Sequence, residues 1–506
     1  MRVGILEVID LPSYSLTSGM YNLLVSKQYA SITPQAISVW CRQLGHETFY
    51  ATYYGVGNPA KLIPQDLDII FFSCCTLASP LAYALAKIYR QKGTRTVIGG
   101  PHAESFPVDC LRFFDLVLKH CDRELIADIV NGNFESQQYI SRAQPFDDCP
   151  TVEERMPEII ASTFFHKNWP GWFTGIPILM SMGCPYTCDF CRDWNNPYRL
   201  LSTDRFAADL EYLRKNYPHL LILFHEPNFA VQFDRVFKLI EAVPPESRMP
   251  YLMECSLSVL TESRMKRLQE TNCVVSLHGI ESWESYSVKA GTKGKSGSEK
   301  VNRVAKHLKK ISENVPYVQI QMMFALDCDA GEEPVNLTKS LMEQTPFAWP
   351  VINIPTPFGG TPMFDQYFGN RRILQEMPFA FYLKPYLVTT FKHYDPIEYF
   401  EKMIEMADFA FSREMLKRRI DSTSNCKIKA VHIVRNQSEK EFSQCYRDIL
   451  NKLRSDSQFR AFHEGKSDKL PEFYHQTYEK RLGRYAELLS RSDRRPCLEQ
   501  LTPQIV

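Results

Sequence analysis

The chain of 506 residues has almost no net charge: 59 Lys and Arg face 58 Asp and Glu, leaving +1. Such a balance gives no reason to expect nucleic acid or another polyanion as a partner of the whole molecule. Residues 411–506 are richer in base, with 20 Lys and Arg against 13 Asp and Glu. A solvated helical surface accounts for that excess, with an anionic substrate or partner as the alternative. Long apolar runs are scarce too. Ile69–Ala86 has nearly the length of a membrane span, but Ser73, Thr76, Ser79 and Pro80 interrupt it, so a buried strand, a turn and a helix start are expected. The opening MRVGILEVID lacks the basic start, apolar stretch and small-residue cleavage site of a secretory signal, which points to the cytoplasm. No repeat of 20 to 50 residues and no low-complexity tract is present. The 15 cysteines are spread thinly, unlike a small disulfide scaffold, and most read as reduced buried thiols.

What is present is an alternation of strands and helices. In residues 1–138, RVGILEV, ETFYATYY, LDIIFFS, TRTVIGG and FDLVLKH are strand candidates. Helical segments such as PQAISVWCRQLGH and PLAYALAKIYRQKG lie among them, which predicts a doubly wound, Rossmann-like parallel sheet. Ligands of such sheets sit at the carboxyl ends of the strands, here near Ser73 and the Gly99–Gly100 pair. Residues 139–172 are rich in proline and without clear period, so they read as a linker. Between 173 and 384, six strand candidates (IPILMSMG, LLILFHE, YLMECS, CVVSLHGIE, YVQIQMMFALD and PVINIPTP) predict a partial or complete parallel (β/α) barrel of the TIM type. Residues 385–506 read as mostly helical.

The segment MGCPYTCDFCRDW follows the first barrel strand and places Cys184, Cys188 and Cys191 within eight positions. No fourth cysteine follows before Cys255. A structural zinc site closes with four ligands and favours paired Cys-x2-Cys knuckles, so this pattern reads poorly as one unless a distant residue completes it. Three unrelated buried thiols are the plain alternative. An iron–sulfur cluster held by three thiolates leaves one iron open, as chemistry at the metal requires.

The spacing Cys-x3-Cys-x-aromatic-Cys, read here as Cys184, Cys188, Phe190 and Cys191, resembles the signature of the radical SAM superfamily. The resemblance implies a 4Fe–4S cluster on the three thiolates, with S-adenosylmethionine (SAM) chelating the open iron and cleaved by one electron to a 5′-deoxyadenosyl radical. It also implies SAM contacts from Phe190, from Glu226 in LLILFHEPNF, and from Glu281 and Ser282 in HGIESW. HEPNF departs from the usual Gly-Gly-Glu and is similar to the DDNF of cobalamin-linked members. NIPTPFGGTP resembles the sixth-strand loop, where Gly359 and Gly360 permit close backbone approach.

A doubly wound domain with small residues at Ser73 and Gly99–Gly100, set before such a barrel, is similar to the cobalamin-binding domain of cobalamin-dependent radical SAM enzymes. The loop after the first strand, EVIDLPSYSLTSG, lacks the histidine that ligates cobalt in classical cobalamin domains. His102 is the remaining candidate near a strand end, as a hydrogen-bonding residue rather than a cobalt ligand. The resemblance implies a C-methyltransferase acting on an unactivated carbon, with a flavodoxin or ferredoxin as electron donor. The substrate class is open among small molecules, lipids, tetrapyrroles and peptides. A non-methylating cyclase or rrearrangement enzyme is the alternative. An RNA methylthiotransferase fits less well, since the front cysteines lack cluster spacing, as does a non-enzymatic iron–sulfur protein.

Overall fold

A computed structural model describes residues 1–10, 19, 30–143, 146, 148–162 and 175–506. Two parallel sheets dominate it. The front sheet contains β1 (Arg2–Val8), β2 (Glu47–Tyr53), β3 (Ile69–Cys74), β4 (Arg95–Gly99), β5 (Leu116–Leu118) and β6 (Gln138–Ser141). Its order is β2-β1-β3-β4-β5-β6, with a final strand from the end of the chain, Gln504–Ile505, pairing on β6. The direction of winding reverses between β1 and β3, so the crevice for a ligand opens at their carboxyl ends. Apolar side chains on both faces explain the continuous runs: β1 is buried from Val3 to Val8, and β3 from Ile69 to Phe72.

The second sheet runs β7 (Gly175–Ile178), β8 (Leu221–Phe224), β9 (Tyr251–Glu254), β10 (Cys273–Glu281), β11 (Tyr317–Met323) and β12 (Ala348–Asn353) in sequence order. All neighbours are parallel. Among the described residues β7 and β12 do not pair, so the barrel is partial. Helices Pro396–Ala410, Cys426–Ser455 and Glu472–Leu482 form much of the carboxyl-terminal region. No helix among the described residues is long and apolar enough to cross a membrane.

Two sequence readings change. The stretch 139–172 is not simply a linker, because its start completes β6 and Val152–Ser162 is helical. The helix buries Val152, Arg155, Met156 and Ile159, a spacing of three and four that Pro157 and the neighbouring prolines masked. Arg155, fully buried, donates to Gln35 Oε1 at 2.7 Å and to Pro177 O at 3.0 Å, tying this helix to the front domain's helix Ile32–Gln43 and to β7 of the second sheet. Residues 144, 145, 147 and 163–174 of that stretch lie outside the described residues. The second is an addition: a short strand at Gln504–Ile505, in a region read as mostly helical.

Candidate active site

The cysteine loop hangs from a two-rung antiparallel ribbon in which Ser181–Met182 pairs with Arg199–Leu200. Gly183 closes its base at φ +71°, where a Cβ would collide with the carbonyl oxygens of Asn196 and Pro197. Inside the loop, Cys184 N–H donates to Asn196 O (2.9 Å) and Cys191 N–H to Cys188 O (3.0 Å). Loops from the barrel's other strands hold its outer edge. Tyr286 OH donates to Asp189 Oδ1, Met363 N–H to Asp189 O (3.0 Å), and Trp194 Nε1–H to Gly360 O (2.8 Å). The Phe190 ring meets Tyr286 edge-on, with centroids 5.3 Å apart.

Burial is the main influence on Cys188, pushing its thiol up to about 12, and it raises Cys191 as well. Lys289 acts against burial at both, and the charge of Cys184 acts on Cys188 and Cys191 alike, so the cysteines share one electrostatic neighbourhood. Among the described residues no three His, Cys, Asp or Glu side chains converge on a single metal position. A 4Fe–4S cluster does not require convergence, since each thiolate takes a different iron, and three sulfurs on one short loop suit it.

Glu281 ends β10 at φ +67°, where the register slips against β11. Its Oε1 accepts from Lys289 Nζ at 2.7 Å, in space that Gly279 leaves free, because a Cβ there would collide with this carboxylate. Ser282 is buried, and its hydroxyl accepts from the N–H groups of Glu284 (3.2 Å) and Ser285 (3.3 Å), which commits it to the turn. Glu226 is also buried: Oε1 accepts from Met180 N–H and from Ser181 N–H (3.3 Å), bracing the strand that leads into the cysteine loop. Oε2 has no hydrogen-bond partner among the described residues, and burial pushes this carboxyl up to about 8. Its neighbours His225 and Pro227 face the cavity described next, whereas Glu226 does not.

A cavity of about 260 Å³ separates the front strand ends from the cysteine loop. Ser73, Gly99, Gly100 and His120 line one side, and Gly183, Arg192 and Asn196 the other. Gly100, at φ +86°, would put a Cβ 2.7 Å from Ser73 Oγ, so the wall is shaped by the missing side chain. A second cavity of about 430 Å³ shares Ser73, Pro101 and Arg192 and extends over Glu7–Asp10 and Cys74–Ala78 to Phe358. Arg192 crosses the cleft to Glu104 Oε2 (3.3 Å), and Gly359 lets the sixth-strand loop abut Ser105 O.

His102 is not part of this cleft, which corrects its placement among the cofactor contacts. It is fully buried, its Nε2 lies 2.5 Å from Tyr83 OH, Phe106 and Phe379 pack on its ring, and burial pushes it down to about 3. Two histidines do reach the cavity, His225 and His120; the latter ends FDLVLKH and was passed over in favour of His102. Lys289 and Asn228 were also missed. The first lies eight positions beyond Glu281, and the second sits inside the HEPNF motif, hydrogen-bonded at 3.7 Å to Cys184 Sγ.

Residues 178–324 match the family model described as the radical SAM superfamily. A bacteriochlorophyllide d C-8(2)-methyltransferase of Chlorobaculum tepidum is 23% identical over 361 residues, covering 67% of this chain and 77% of that protein. The C-12(1)-methyltransferase of the same organism is 23% identical, over 60% of this chain and 67% of its own. Among solved structures, the cobalamin-dependent SAM radical enzyme OxsB with aqua-cobalamin bound superimposes with a TM-score of 0.60 at 13% identity, over 96% of this chain and 79% of that one. The radical SAM methyltransferase TsrM from Kitasatospora setae gives 0.53 at 13% identity, over 73% and 76%. Residues 178–324 thus match the radical SAM superfamily, behind a doubly wound α/β domain, and the chain shares its fold with the cobalamin-dependent radical SAM enzyme OxsB.

Proposed function

We propose that this chain is a cobalamin-dependent radical SAM C-methyltransferase acting on an unactivated carbon. The observation that carries the reading is the cleft: its front wall is the strand-end set Ser73, Gly99 and Gly100, and its opposite wall is the cysteine loop. When bound, the cofactors supply an electron for cleaving a sulfonium bond and a carrier for a methyl group. Cys184, Cys188 and Cys191 are the residues that would hold the cluster. Their thiols must lose protons to bind metal, and Lys289, beside Cys188 and Cys191, favours the charged form. The Glu281–Lys289 pair offers an anion and a cation for the ammonium and carboxylate of SAM, while Phe190 packs the loop down. Glu226 and Ser282 serve by holding backbone in place. On the front side, Ser73 and Gly99–Gly100 leave room for a bulky cofactor at the switch point, and His120 contributes a polar group to the same wall, with Arg192 facing it from the cysteine loop.

The methylating reading requires SAM to be consumed in two ways. Incubation without oxygen, under reducing conditions, with cobalamin and methyl-deuterated SAM should yield both 5′-deoxyadenosine and S-adenosylhomocysteine. A true substrate should bring the two toward equal amounts and gain a CD3 group. Tetrapyrroles are the first substrates to try, given the chlorophyllide-methylating relatives, followed by lipid and peptide fractions. Deoxyadenosine without the homocysteine product, and no labelled methyl in any fraction, would move the assignment to a cyclase or rearrangement enzyme.

A further inference from the structure

Asn228 is 2% exposed and stands at the carboxyl end of β8, between that strand and the cysteine loop. Its Oδ1 accepts two hydrogen bonds from one residue, Ser256 N–H at 2.9 Å and Ser256 Oγ–H at 3.0 Å. A backbone N–H can only donate, so turning the amide over would set NH2 against a donor in a buried site. The orientation is thereby fixed, and Nδ2 faces Cys184 Sγ at 3.7 Å. Ser256 is itself fully buried just beyond β9, so two adjacent barrel strands hold one N–H on one sulfur. With the sulfur as a thiolate the contact becomes charge-assisted.

We propose that Asn228 is a positioning residue that raises the reduction potential of a cluster bound through Cys184, by donating a hydrogen bond to that thiolate. The inference rests on the cluster assignment above and adds a role nothing in the three-cysteine pattern specifies. Hydrogen bonds to cluster sulfurs stabilise the more negative, reduced state and so shift the potential upward. A radical SAM domain needs its cluster reducible by a cellular donor, and a fixed N–H on a sulfur serves that need without any change at the ligands.

The test is an anaerobic redox titration of reconstituted protein, following the reduced cluster by electron paramagnetic resonance. Asn228→Leu keeps the approximate shape and removes the donor. At a fixed poise the ratio of reduced to oxidised cluster should fall about tenfold, a shift of about 59 mV for one electron. Asn228→Asp, which sets an anion against the sulfur, should fall further. If neither variant retains iron, Ser256→Ala decides. It leaves only the backbone donor on Oδ1, loosens the amide, and should shift the potential in the same direction by less. Equal potentials in every variant that keeps its cluster would overturn the role of Asn228 alone. A wild-type protein that assembles no cluster would instead overturn the cluster assignment beneath it.

Discussion

Glu226, found by motif, is held by backbone hydrogen bonds that the motif does not specify. Its carboxyl braces Met180 and Ser181 from behind the cavity wall, with one oxygen unpartnered in an apolar setting. Its value of about 8 in the fold lies well above the ordinary 4.5. For a raised acid the folded state binds more protons than the unfolded one, so stability falls as pH rises through the window from about 4.5 to 8. The slope from this one group reaches at most about 1.4 kcal/mol per pH unit. Glu226→Gln, whose amide oxygen can still accept from both N–H groups, should flatten the loss of stability across that window. Denaturant titrations of both proteins at pH 5 and pH 8 measure the difference, and parallel curves would show that the carboxyl ionises freely in the fold. The three loop cysteines were legible in sequence because three thiols at fixed spacing form a pattern. Asn228, Lys289 and His120 were not singled out, since each matters through a neighbour brought close only by folding. His102 misled for the opposite reason: Gly99, Gly100 and Pro101 placed it near a strand end, but its ring turns into the aromatic core around Phe106 and Phe379.

At the scale of elements, the loop that carries the cysteines takes its shape from its base. Gly183 has a positive φ, and a Cβ would strike backbone oxygens that cannot rotate away. Gly183→Ala should therefore cost about 1–3 kcal/mol of local strain and open the ribbon. Gly360→Ala is the proper control, because φ is +78° there but nothing lies within 4 Å of its Cβ. Iron content after reconstitution should drop in the first variant and hold in the second. Equal iron in both would show that the ribbon base does not shape the loop. The strands themselves were readable: five front candidates and six barrel candidates all occur, because buried parallel strands make continuous apolar runs. The helix Val152–Ser162 was obscured by its own proline, and a two-residue strand at Gln504–Ile505 carries too little pattern to announce itself.

For the molecule as a whole, the question is whether the cleft takes the cofactor that its shape suits, and the two strand-end glycines differ as probes. Gly100 is unsuited to substitution, since its backbone is left-handed and a Cβ would meet Ser73 Oγ at 2.7 Å. Gly99 is different: a Cβ there would meet only Leu118 at 3.7 Å, an ordinary contact, so the sheet can accept a side chain that then enters the cavity. Gly99→Trp should fold, assemble its iron and cleave SAM under reducing conditions, because the cysteine loop and the Glu281–Lys289 pair lie on the other domain. Its uptake of hydroxocobalamin should fall at least tenfold, equivalent to a loss of about 1.4 kcal/mol in binding. The formation of S-adenosylhomocysteine should fall with it, leaving 5′-deoxyadenosine as the main product. Absorbance of the bound corrinoid after desalting gives the first number, and chromatography of the nucleoside products gives the second. Full corrinoid binding by a folded Gly99→Trp protein would place cobalamin elsewhere. Joint loss of corrinoid and of SAM cleavage would mean that the indole disturbed the barrel across the cleft, at Gly183, Arg192 and Asn196, and Gly99→Leu, with its smaller side chain, would then separate the two effects.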